Sequence, residues 1–377
     1  MSDTVPNVFF REQRSFAAIK QELLVSYFEA WCRIRLATRA IGSEEPLVVV
    51  DLNAVAGQEQ LAQQSEDFEV LRNLLRSTGK RQGLQESVQF FLHDPVKAGI
   101  AEISRQLEQQ TAYEALVHKP LYLHEAANRP LLEEALAAGS PSFMFLNPFS
   151  YGYAQEMLLN ACNTWRTDLL MLFCPDSIRK AITGKKVSLP LTELFGNRLP
   201  LISAFCRKEK DNVRRTAFIL QHLHCLLREK GLFTLLYRIN LPDSDTASHF
   251  LLFCSPDTAA YNCFKHLMLP YSAYQQDGVP LFVSDQGPQH QLALFPSRPK
   301  YTVEHLVEDL ATGAAQFRFK SIEKICDLHS HNTPYIRENY LAAFEHLRDQ
   351  QKVVLLNGKT MQTIRKAAYT SVVKYLL

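Results

Sequence analysis

The sequence predicts an α/β fold with a mainly parallel sheet that ends in an antiparallel pair of strands, followed by a small C-terminal module. Short apolar runs alternate with helical stretches between residues 47 and 174, which is the pattern of repeated β-α-β units. Two later apolar runs are separated only by residues 241–248, too few for a crossover helix, so these strands must pair antiparallel. Beyond residue 300, three helical stretches and a two-strand pattern predict a winged helix-turn-helix.

The composition is typical of a soluble globular protein with room for two domains. Of 377 residues, 46% are hydrophobic and 21% are charged. A net charge of +2 gives no global field that favours nucleic acid or an anionic membrane, so any such contact needs a local patch. The N-terminus has no basic-then-apolar leader, and no apolar run reaches membrane length, which predicts a cytoplasmic protein without a membrane contact.

The cysteines and histidines do not predict a metal site. Eight cysteines occur without a Cys-x-x-Cys pair and mostly in apolar runs, as expected of reduced core thiols rather than disulfides. The twelve histidines are scattered, and His222 and His224 would face different sides of a helix. P-loop, Gly-x-Ser-x-Gly and His-Glu-x-x-His motifs are absent as well. We therefore expect no metal.

The first part of the chain predicts one long helix and five parallel strands. Residues 13–40 carry apolar side chains at three- and four-residue spacing, so segment 1–45 is expected to pack a helix on the core. Apolar runs predict buried strands at 47–50, 88–92, 120–124, 143–146 and 168–174. Helices are predicted between them at 66–76, 96–110, 129–138 and 153–163, with right-handed crossovers.

The order of elements after residue 175 distinguishes two kinds of Rossmann domain. A short helix at 177–182 and an insertion precede a long amphipathic helix at 207–230, and the antiparallel strands 233–240 and 249–255 follow. Five β-α units that end in such a hairpin are typical of class I methyltransferases, whereas a dehydrogenase-type fold would continue in parallel. Residues 46–270 are therefore predicted to form a methyltransferase-like Rossmann domain.

The C-terminal part predicts a linker and a winged-helix module. Residues 270–300 contain five prolines, which suits an irregular linker over 271–300. Module 301–377 is predicted to contain helices 302–312, 321–329 and 334–350, with Thr333 as N-cap and Pro334 at the first position of the last helix. Asn357-Gly358 predicts a tight hairpin between strands 353–356 and 359–364.

The most informative motif is the turn that follows the fourth strand, Asn147-Pro148-Phe149 with Tyr151 close behind. An amide side chain, a carbonyl freed from the ladder and an aromatic ring suit a planar amine such as a nucleobase. Aminomethyltransferases that act on bases use an Asn/Asp-Pro-Pro-aromatic turn in this way, and the present turn resembles it without the second proline. An ordinary strand-to-helix turn is the alternative. Asn147, Pro148, Phe149 and Tyr151 are the predicted catalytic residues.

The predicted cofactor site comprises residues at the ends of the first three strands. Asp51 and Gly57 stand in the first turn, where glycine permits a close approach of the backbone to a ligand. Asp94 closes the second strand, where a carboxylate accepts hydrogen bonds from ribose hydroxyls, although Asp-Pro is also a common turn. Glu125 follows the third strand and either contacts adenine or begins a helix. The cofactor predicted for these four residues is S-adenosylmethionine.

The C-terminal module offers candidate nucleic-acid contacts. Tyr335, Arg337 and Asn339 are expected on the exposed side of the third helix, where Arg and Asn can read base edges. Lys352 and Lys359 near the hairpin are expected to meet phosphates. The module carries roughly as many acids as bases, and winged helices also bind proteins, so both partner classes remain open.

Several segments resemble the three-Cys-motif partner protein family. Lys20, Leu23, Leu24, Tyr27 and Ala30-Trp31 are spaced as in that family's opening helix. The strand that ends in Asp51 and leads to Ala56-Gly57 is similar to its Asp-Gly-Phe-Ala-Gly-x-Gly segment, and Asn147-Pro148-Phe149 is similar to its Asp-Pro-Phe-Gly. The resemblance spans most of residues 12–270. It implies a methyltransferase-like Rossmann domain and, by gene neighbourhood, a radical S-adenosylmethionine protein as partner.

Two departures from the family pattern bear on function. Glu59 stands where the family has its last glycine, and Asn147 replaces an aspartate. The first hypothesis is an S-adenosylmethionine-dependent methyltransferase that acts on a nucleobase amine in nucleic acid. The alternative, favoured by Gln58-Glu59, is a catalytically degenerate Rossmann scaffold that binds a protein or nucleic acid through its winged helix. A hydrolase is less favoured, because no cluster of acids suits Mg²⁺.

Overall fold

The computed structural model describes residues 6–39, 45–55, 64–242, 247–284 and 300–376. The chain forms two compact units, of which the first extends to Met268 and the second begins at Leu269. Residues 269–284, most of which the sequence analysis assigns to an irregular linker, are part of the second unit.

The first unit is built on one seven-stranded sheet. Its strands are β1 (Leu47–Asp51), β2 (Val88–Leu92), β3 (Leu121–Tyr122), β4 (Ser142–Leu146), β5 (Thr167–Phe173), β6 (Phe233–Ile239) and β7 (His249–Ser255). The spatial order is β3-β2-β1-β4-β5-β7-β6, with parallel pairs from β3 to β5. β7 runs antiparallel to both β5 and β6. The expected mostly parallel sheet with an antiparallel pair is confirmed.

Thirteen helices are described in the first unit. They are α1 (Pro6–Phe9), α2 (Phe16–Thr38), α3 (Gln64–Gly79), α4 (Gln82–Gln85), α5 (Lys97–Glu108), α6 (Thr111–Glu114), α7 (Asn128–Ala137), α8 (Gly152–Asn163), α9 (Pro175–Thr183), α10 (Leu189–Phe195), α11 (Arg198–Lys208), α12 (Asn212–Glu229) and α13 (Thr258–Met268). The predicted insertion after residue 182 is thus largely helical, because Ser188 caps α10 and apolar side chains of α10 and α11 join the core.

The sheet lies between two layers of side chains. β1, β4 and β5 are buried along their whole length, as expected for parallel strands that helices cover on both faces. Val48, Val50, Met144 and Leu146 belong to a core cluster that also contains side chains of α8, α9 and α12. On the other face, Phe143 meets the rings of α2.

Helix α2 is fixed to the sheet by rings and by buried charges. It begins after Ser15, whose hydroxyl accepts a hydrogen bond from Ala18 N at 3.0 Å. Tyr27 makes edge-to-face contacts with Phe143 and two further rings at centroid distances of 5.1–5.2 Å. The guanidinium of Arg35 donates to Asp168 at 2.5 Å and to Asp257, 222 positions away in sequence, at 2.6 Å.

In its described residues, the second unit contains four α-helices, a 3-10 helix at Leu269–Tyr271 and a two-stranded antiparallel sheet. The elements are α14 (Val303–Thr312), α15 (Ala314–Phe317), α16 (Ile322–His329), α17 (Arg337–Asp349), β8 (Val353–Leu356) and β9 (Val372–Tyr375). Leu306, Leu310, Phe344 and Leu347 contribute to its own buried core. The small antiparallel sheet is therefore present, with its first strand at the predicted residues and its second strand at β9 instead of 359–364.

One predicted detail of the second unit is wrong, and another holds only in part. Helix α17 begins at Arg337 rather than Pro334, because the side chain of Asn339 accepts a hydrogen bond from Ile336 N at 2.9 Å and caps the helix there. The ladder partner of β8 is β9 rather than residues 359–364, which reach the other edge of β8 only through an antiparallel bridge between Leu356 and Thr363. Gly358 does not have the positive φ of a type I′ turn, and its α-carbon instead packs so closely on Thr370 that a Cβ would lie 2.5 Å from the carbonyl oxygen.

Of the helices in the described ranges, none is both long enough and apolar enough to cross a bilayer.

Candidate functional site at the carboxyl ends of the sheet

Three strand ends meet at the point where the strand order reverses. Asp51 at the end of β1 is in register with Leu92 of β2 on one side and with Phe145 of β4 on the other. The chain continues from β1 to β2 in one direction, while β4 lies in the other. In open α/β sheets, ligands bind outside the carboxyl ends of strands at such a switch point. The turns after β1, β2 and β4 are therefore the candidate site.

Asp51 is bound to Lys20 of α2 in a buried ion pair. Lys20 Nζ lies 2.6 Å from Asp51 Oδ2 and 2.5 Å from the carbonyl oxygen of Asn53. The two side chains are only 1% and 3% exposed, and Nζ also lies 4.8 Å above the ring centre of Phe145. Asp51 Oδ1 accepts from Asn53 N at 3.0 Å. Both carboxylate oxygens thus hold the β1 turn in place.

Asn53 connects the β1 turn to the β4 turn. Its side-chain oxygen accepts a hydrogen bond from Asn147 N at 2.6 Å. The side-chain oxygen of Asn147 in turn accepts from Phe149 N at 3.1 Å, which closes an Asx turn. Since an amide oxygen has two lone pairs, Asn147 Oδ1 retains acceptor capacity after this bond. The Asn147 side chain is only partly buried, so a ligand can approach it.

Pro148 and Phe149 lie deeper than Asn147. Both residues are buried, and the ring of Phe149 packs edge-on against Phe173 at a centroid distance of 4.9 Å. Phe149 belongs to the main core cluster of the first unit. Of the two rings predicted to stack on a base, Phe149 therefore serves the core, and Tyr151 is the one that lies over the strand ends.

Tyr151 links β1, β2 and α8 through its hydroxyl. The hydroxyl donates to the carbonyl of Leu52 at 2.5 Å and lies 2.9 Å from His93 Nδ1. Because the tyrosine proton is used for Leu52, His93 must carry its proton on Nδ1 and donate it to the tyrosine oxygen. The two rings are stacked at 5.5 Å. Burial lowers the pKa of His93 to about 4, so the ring is neutral at physiological pH.

Asp94 holds the β1 turn against the β2 turn. Its two oxygens accept hydrogen bonds from Val55 N and Val96 N, each at 3.0 Å. Burial raises the pKa of Asp94 to about 6, and these two backbone bonds oppose the increase. Gly99 of α5 packs on the same turn, because a Cβ there would lie 2.6 Å from a methyl group of Val55. The carboxylate predicted to bind ribose is thus engaged by backbone amides.

A cluster of rings continues from His93 toward the end of β3. The ring of His93 lies 4.7 Å from that of His124 and 4.9 Å from that of Tyr153. Arg129 stacks its guanidinium 4.5 Å above the Tyr153 ring and donates to the carbonyl of Leu123 at 3.1 Å. His124 Nε2 and the Tyr153 hydroxyl are both buried without a hydrogen-bond partner among the described residues. These two polar atoms keep hydrogen-bonding capacity that the described residues do not use.

Burial also determines the protonation states of His124 and Tyr153. The pKa of His124 is lowered mainly by burial, although a hydrogen bond to the Asp94 backbone opposes the shift. Burial raises the pKa of Tyr153 to about 12. Both side chains are therefore neutral near pH 7, and they present a ring nitrogen and a hydroxyl rather than charges.

The remaining predicted site residues of the first unit lie elsewhere. Glu125 is exposed and accepts a hydrogen bond from the side chain of Asn128 at 3.1 Å, at the start of α7. Gly57, together with Gln58 and Glu59, lies outside the described residues. Within the described ranges, no group of three or more His, Cys, Asp or Glu side chains is arranged to hold a metal ion.

Five residues of the site were missed by sequence reasoning. They are Lys20, Asn53, His93, His124 and Tyr153. Lys20 had a readable signal, because it lies four residues from both Phe16 and Leu24 on the apolar stripe of α2, and a buried lysine needs a carboxylate partner. His93 and His124 each follow an apolar run at the position where a parallel strand ends. Tyr153 carried no signal beyond its closeness to Asn147.

In the second unit, only some of the predicted nucleic-acid contacts are accessible. Arg337, Lys352 and Lys359 are exposed, and Arg337 stacks 4.1 Å above the ring of Tyr369. Tyr335 and Asn339 are buried, so their expected exposure is wrong. Tyr335 precedes α17 and donates its hydroxyl proton to Thr302 O at 3.1 Å, while Asn339 caps α17 and donates to Gly278 O at 2.9 Å.

Comparison with known proteins adds no relative to this description. No protein-family model matches the chain, and a search of curated proteins found no significant match.

Proposed function

We propose that the first unit is an S-adenosylmethionine-dependent methyltransferase that acts on an amine of a nucleobase in nucleic acid. One observation carries the proposal: an Asn-Pro-aromatic turn follows β4 next to β1, in a sheet of order β3-β2-β1-β4-β5-β7-β6 with only β7 antiparallel. This strand order is typical of class I methyltransferases. The position is the switch point of the sheet, where such folds bind their ligands.

The unengaged polar atoms support the adenosine half of this cofactor. His124 Nε2 and the Tyr153 hydroxyl are buried beyond the ends of β2 and β3 without partners among the described residues. An adenine ring offers both donors and acceptors to such atoms, and the rings of His93 and Tyr153 offer flat surfaces for stacking. Asp94 is the carboxylate that would reach the ribose, in exchange for its bond to Val55 N. The methionine part of the cofactor would be bound by residues near Gly57, which lie outside the described residues.

When bound, the cofactor supplies an electrophilic methyl group on a sulfonium. The residues of the chain would orient the acceptor. Asn147 Oδ1 and the Pro148 carbonyl accept hydrogen bonds from the amine, which directs its lone pair away from them and holds the base. Asn53 and Lys20 fix the position of Asn147 through the β1 turn. Alignment of this kind contributes much of a transfer rate without a strong general base.

The first test is binding of S-adenosylmethionine to the full-length protein by isothermal titration calorimetry. We expect binding by the parent and by Glu125→Gln, since Glu125 bonds only within its own turn. Asp94→Ala and Tyr153→Phe are expected to weaken binding about tenfold or more, because each removes a buried hydrogen-bonding group. Absence of detectable heat with the parent, under conditions in which it is folded by circular dichroism, would refute the proposal.

The second test is methyl transfer to nucleic acid from labelled cofactor. Asn147→Ala is expected to keep cofactor binding and to lose transfer. Ser150→Ala is the matched control, because its hydroxyl contacts the same turn through the Asn147 carbonyl at 2.7 Å but does not point an acceptor at the base. Equal transfer by parent and Asn147→Ala would contradict the assigned role of Asn147.

A non-catalytic scaffold is the second candidate. It is favoured by the engagement of site groups with one another: Tyr151 bonds Leu52 and His93, Asp94 bonds two amides and Asp51 bonds Lys20. A scaffold predicts that Asn147→Ala leaves the cellular function intact, and that partner binding resides in the second unit. The radical S-adenosylmethionine protein implied by the family resemblance stays a predicted partner for either candidate.

For the second unit we propose a winged helix-turn-helix. Helices α14, α16 and α17 supply the three helices of that motif, and β8 with β9 supplies the wing. A bridge between Ser321 and Val372 adds the short strand that joins the wing to the segment before α16. The assignment rests on this order of elements alone.

A further inference from the structure

The charges of the second unit are segregated by element. Residues 350–377 contain five cations and no Asp or Glu: Lys352, Lys359, Arg365, Lys366 and Lys374. Arg318 and Lys320 lie in the segment that pairs with β9. The acids of residues 300–377 all lie on α14, α16 and α17: Glu304, Glu308, Asp309, Glu323, Asp327, Glu338, Glu345 and Asp349. The segment that follows α17 is therefore basic, and the acids lie on the helices, of which Glu345 contacts this segment by accepting a hydrogen bond from Ala367 N at 3.3 Å.

These cations are brought together by four adjacent chain segments. β8 pairs with β9, and the backbone of Phe319 and Lys320 exchanges hydrogen bonds of 2.8 and 2.9 Å with Val373 of β9. At the other edge of β8, Ile364 N donates to Leu355 O at 2.9 Å. We name segment 318–321, β8, β9 and loop 357–371 the basic sheet.

The alternation of side chains along β9 directs Lys374 outward. Val353, Leu355, Val373 and Tyr375 are buried in the core of the unit, so Lys374 and its cross-strand neighbour Val354 face the other side. A groove of about 500 Å³ runs beside β8 on this side. Apolar side chains of Val354, Ile364 and Leu376 and the cationic side chains of Arg348 and Arg365 line it.

Phe319 adds an exposed aromatic ring to this surface. The side chain is 52% exposed, and the guanidinium of Arg318 lies 5.2 Å from its ring centre. The backbone of Phe319 has a φ of +58°, a conformation that costs a bulky residue about 1 to 2 kcal/mol relative to glycine. A strained, exposed phenylalanine between two cations gains nothing from the core. Strain of this kind concentrates where a side chain is needed for contact.

We propose that the basic sheet binds the phosphate backbone of nucleic acid, with Phe319 as a stacking surface for an unpaired base. Exposed cations that form no ion pair among the described residues can neutralise successive phosphates, and a ring beside them accepts any base. The helix predicted to read bases is less suited, because α17 carries three acids and Tyr335 and Asn339 are buried. We therefore assign the nucleic-acid contact to the basic sheet instead of to α17.

The proposal needs neither a cofactor nor catalysis by the first unit. Nucleic-acid binding is measured without S-adenosylmethionine, so its failure is distinct from failure of the proposed methyl transfer. A positive result would supply that reaction with a polymer substrate, and it would equally suit the scaffold.

The test is fluorescence anisotropy of the full-length protein with short labelled single-stranded DNA, the corresponding duplex and the corresponding RNA, over a salt series. Arg365→Ala and Lys374→Ala are each expected to weaken binding to all three several-fold and to reduce the salt slope by about one. Lys324→Ala is the matched control, because it removes an exposed cation from the acid-bearing helix α16. A salt-independent affinity, or equal weakening by the control, would overturn the proposal.

Phe319→Gly distinguishes a role of Phe319 in nucleic-acid binding from a role in the stability of the second unit. Glycine relieves the positive φ, so the melting temperature of the second unit is expected to rise. Affinity for the single strand is expected to fall about fivefold or more, while affinity for the duplex changes little. A higher melting temperature with unchanged single-strand affinity would remove Phe319 from the site. Tighter binding of an acidic polypeptide such as polyglutamate than of any nucleic acid would assign the surface to a protein partner instead.

Discussion

The candidate site of the first unit and the basic sheet of the second unit use charge in opposite ways. At the strand ends, Lys20 and Asp51 are buried and bonded to each other, and Asp94 is bonded to backbone amides. On the basic sheet, Lys352, Lys359, Lys374 and their neighbours are exposed, and no carboxylate of the described residues forms an ion pair with them.

The difference separates charges that specify the fold from charges that remain available to a partner. Removal of one member of a buried pair leaves its partner desolvated and unpaired, so the effect falls on stability. Removal of an exposed cation changes folding little, so any effect falls on binding. Stability measurements can therefore test the comparison without knowledge of the ligand.

The largest expected effect is that of Lys20→Met. The substitution leaves Asp51 buried without its cation, which should lower the free energy of unfolding by about 3 to 5 kcal/mol. Urea denaturation followed by circular dichroism measures the change. Lys20→Met combined with Asp51→Leu should recover most of the loss, because no charge is then left unpaired.

The matched control for this pair is Arg105→Met, which removes an exposed cation from its pair with Glu102. Little change in stability is expected there. A loss at Lys20 no larger than the loss at Arg105 would break the comparison between buried and exposed charge.

His93→Gln should alter the pH dependence of stability. Since the folded-state pKa of His93 is about 4 against an ordinary 6.5, His93 contributes stability above pH 6.5 that is lost as pH falls toward 4. The full contribution is about 3 kcal/mol by linkage. The variant should therefore lose less stability than the parent over this window in urea titrations at several pH values. Parallel pH curves for the two proteins would contradict a buried neutral ring.

Asp94→Asn should change the same curve in the opposite direction. The folded-state pKa of about 6 lies above the ordinary 3.8, so the folded protein binds the proton more tightly and Asp94 costs stability as pH rises from about 4 to 6. The variant should gain stability relative to the parent by up to about 3 kcal/mol over that interval. A relative loss would mean that the two amide bonds outweigh burial.

Tyr151→Phe and Tyr153→Phe are expected to differ in their effect on stability. The first removes the hydroxyl that bonds the Leu52 carbonyl and His93, so stability should fall by about 1 to 3 kcal/mol. The second removes a hydroxyl without a partner among the described residues, so stability should hardly change. Thermal unfolding of both variants measures the difference. Equal losses would mean that the Tyr153 hydroxyl is engaged within the fold and is not available to a ligand.

Asn339→Ala and Arg337→Ala should give modest effects in the second unit. Asn339 caps α17 and donates to Gly278, so its removal should cost about 1 to 2 kcal/mol. Arg337 is exposed and contributes a contact with the ring of Tyr369 worth about 0.5 to 1 kcal/mol. Urea denaturation monitored by circular dichroism ranks the two. A reversed ranking would show that the buried cap is not what fixes the start of the helix.

The strands of the first unit could be predicted because each is an apolar run with a polar or proline boundary. β2 and β7 begin and end where the sequence places them, and β1 extends the prediction only by Asp51. The antiparallel β7 followed from a connection too short for a helix. Such local signals suffice where burial on both faces leaves one option.

The start of α17 and the partner of β8 could not be predicted, because distant contacts decide them. Thr333-Pro334 is a good local start signal, but Asn339 bonds Gly278, 61 positions away, and fixes the start at Arg337. Asn357-Gly358 is a good hairpin signal, but the segment after it makes only a single bridge to one edge of β8, and the ladder at the other edge is formed by β9. At the site, Asp51, Asp94, Asn147 and Tyr151 were found from strand ends, whereas the histidine and tyrosine cluster required the fold.

The ion pair between Arg35 and Asp257 also bears on when helix α2 can be completed in its packing during synthesis. Helix α2 leaves the ribosome before the sheet that it covers, and the second carboxylate that binds its arginine follows 222 positions later. At about 5 to 20 residues per second, that separation corresponds to roughly 10 to 45 s of synthesis. During this interval the apolar stripe with Tyr27, Phe28 and Trp31 has no finished sheet to cover it. The nascent N-terminal helix is thus a natural substrate for chaperones that act at the ribosome exit.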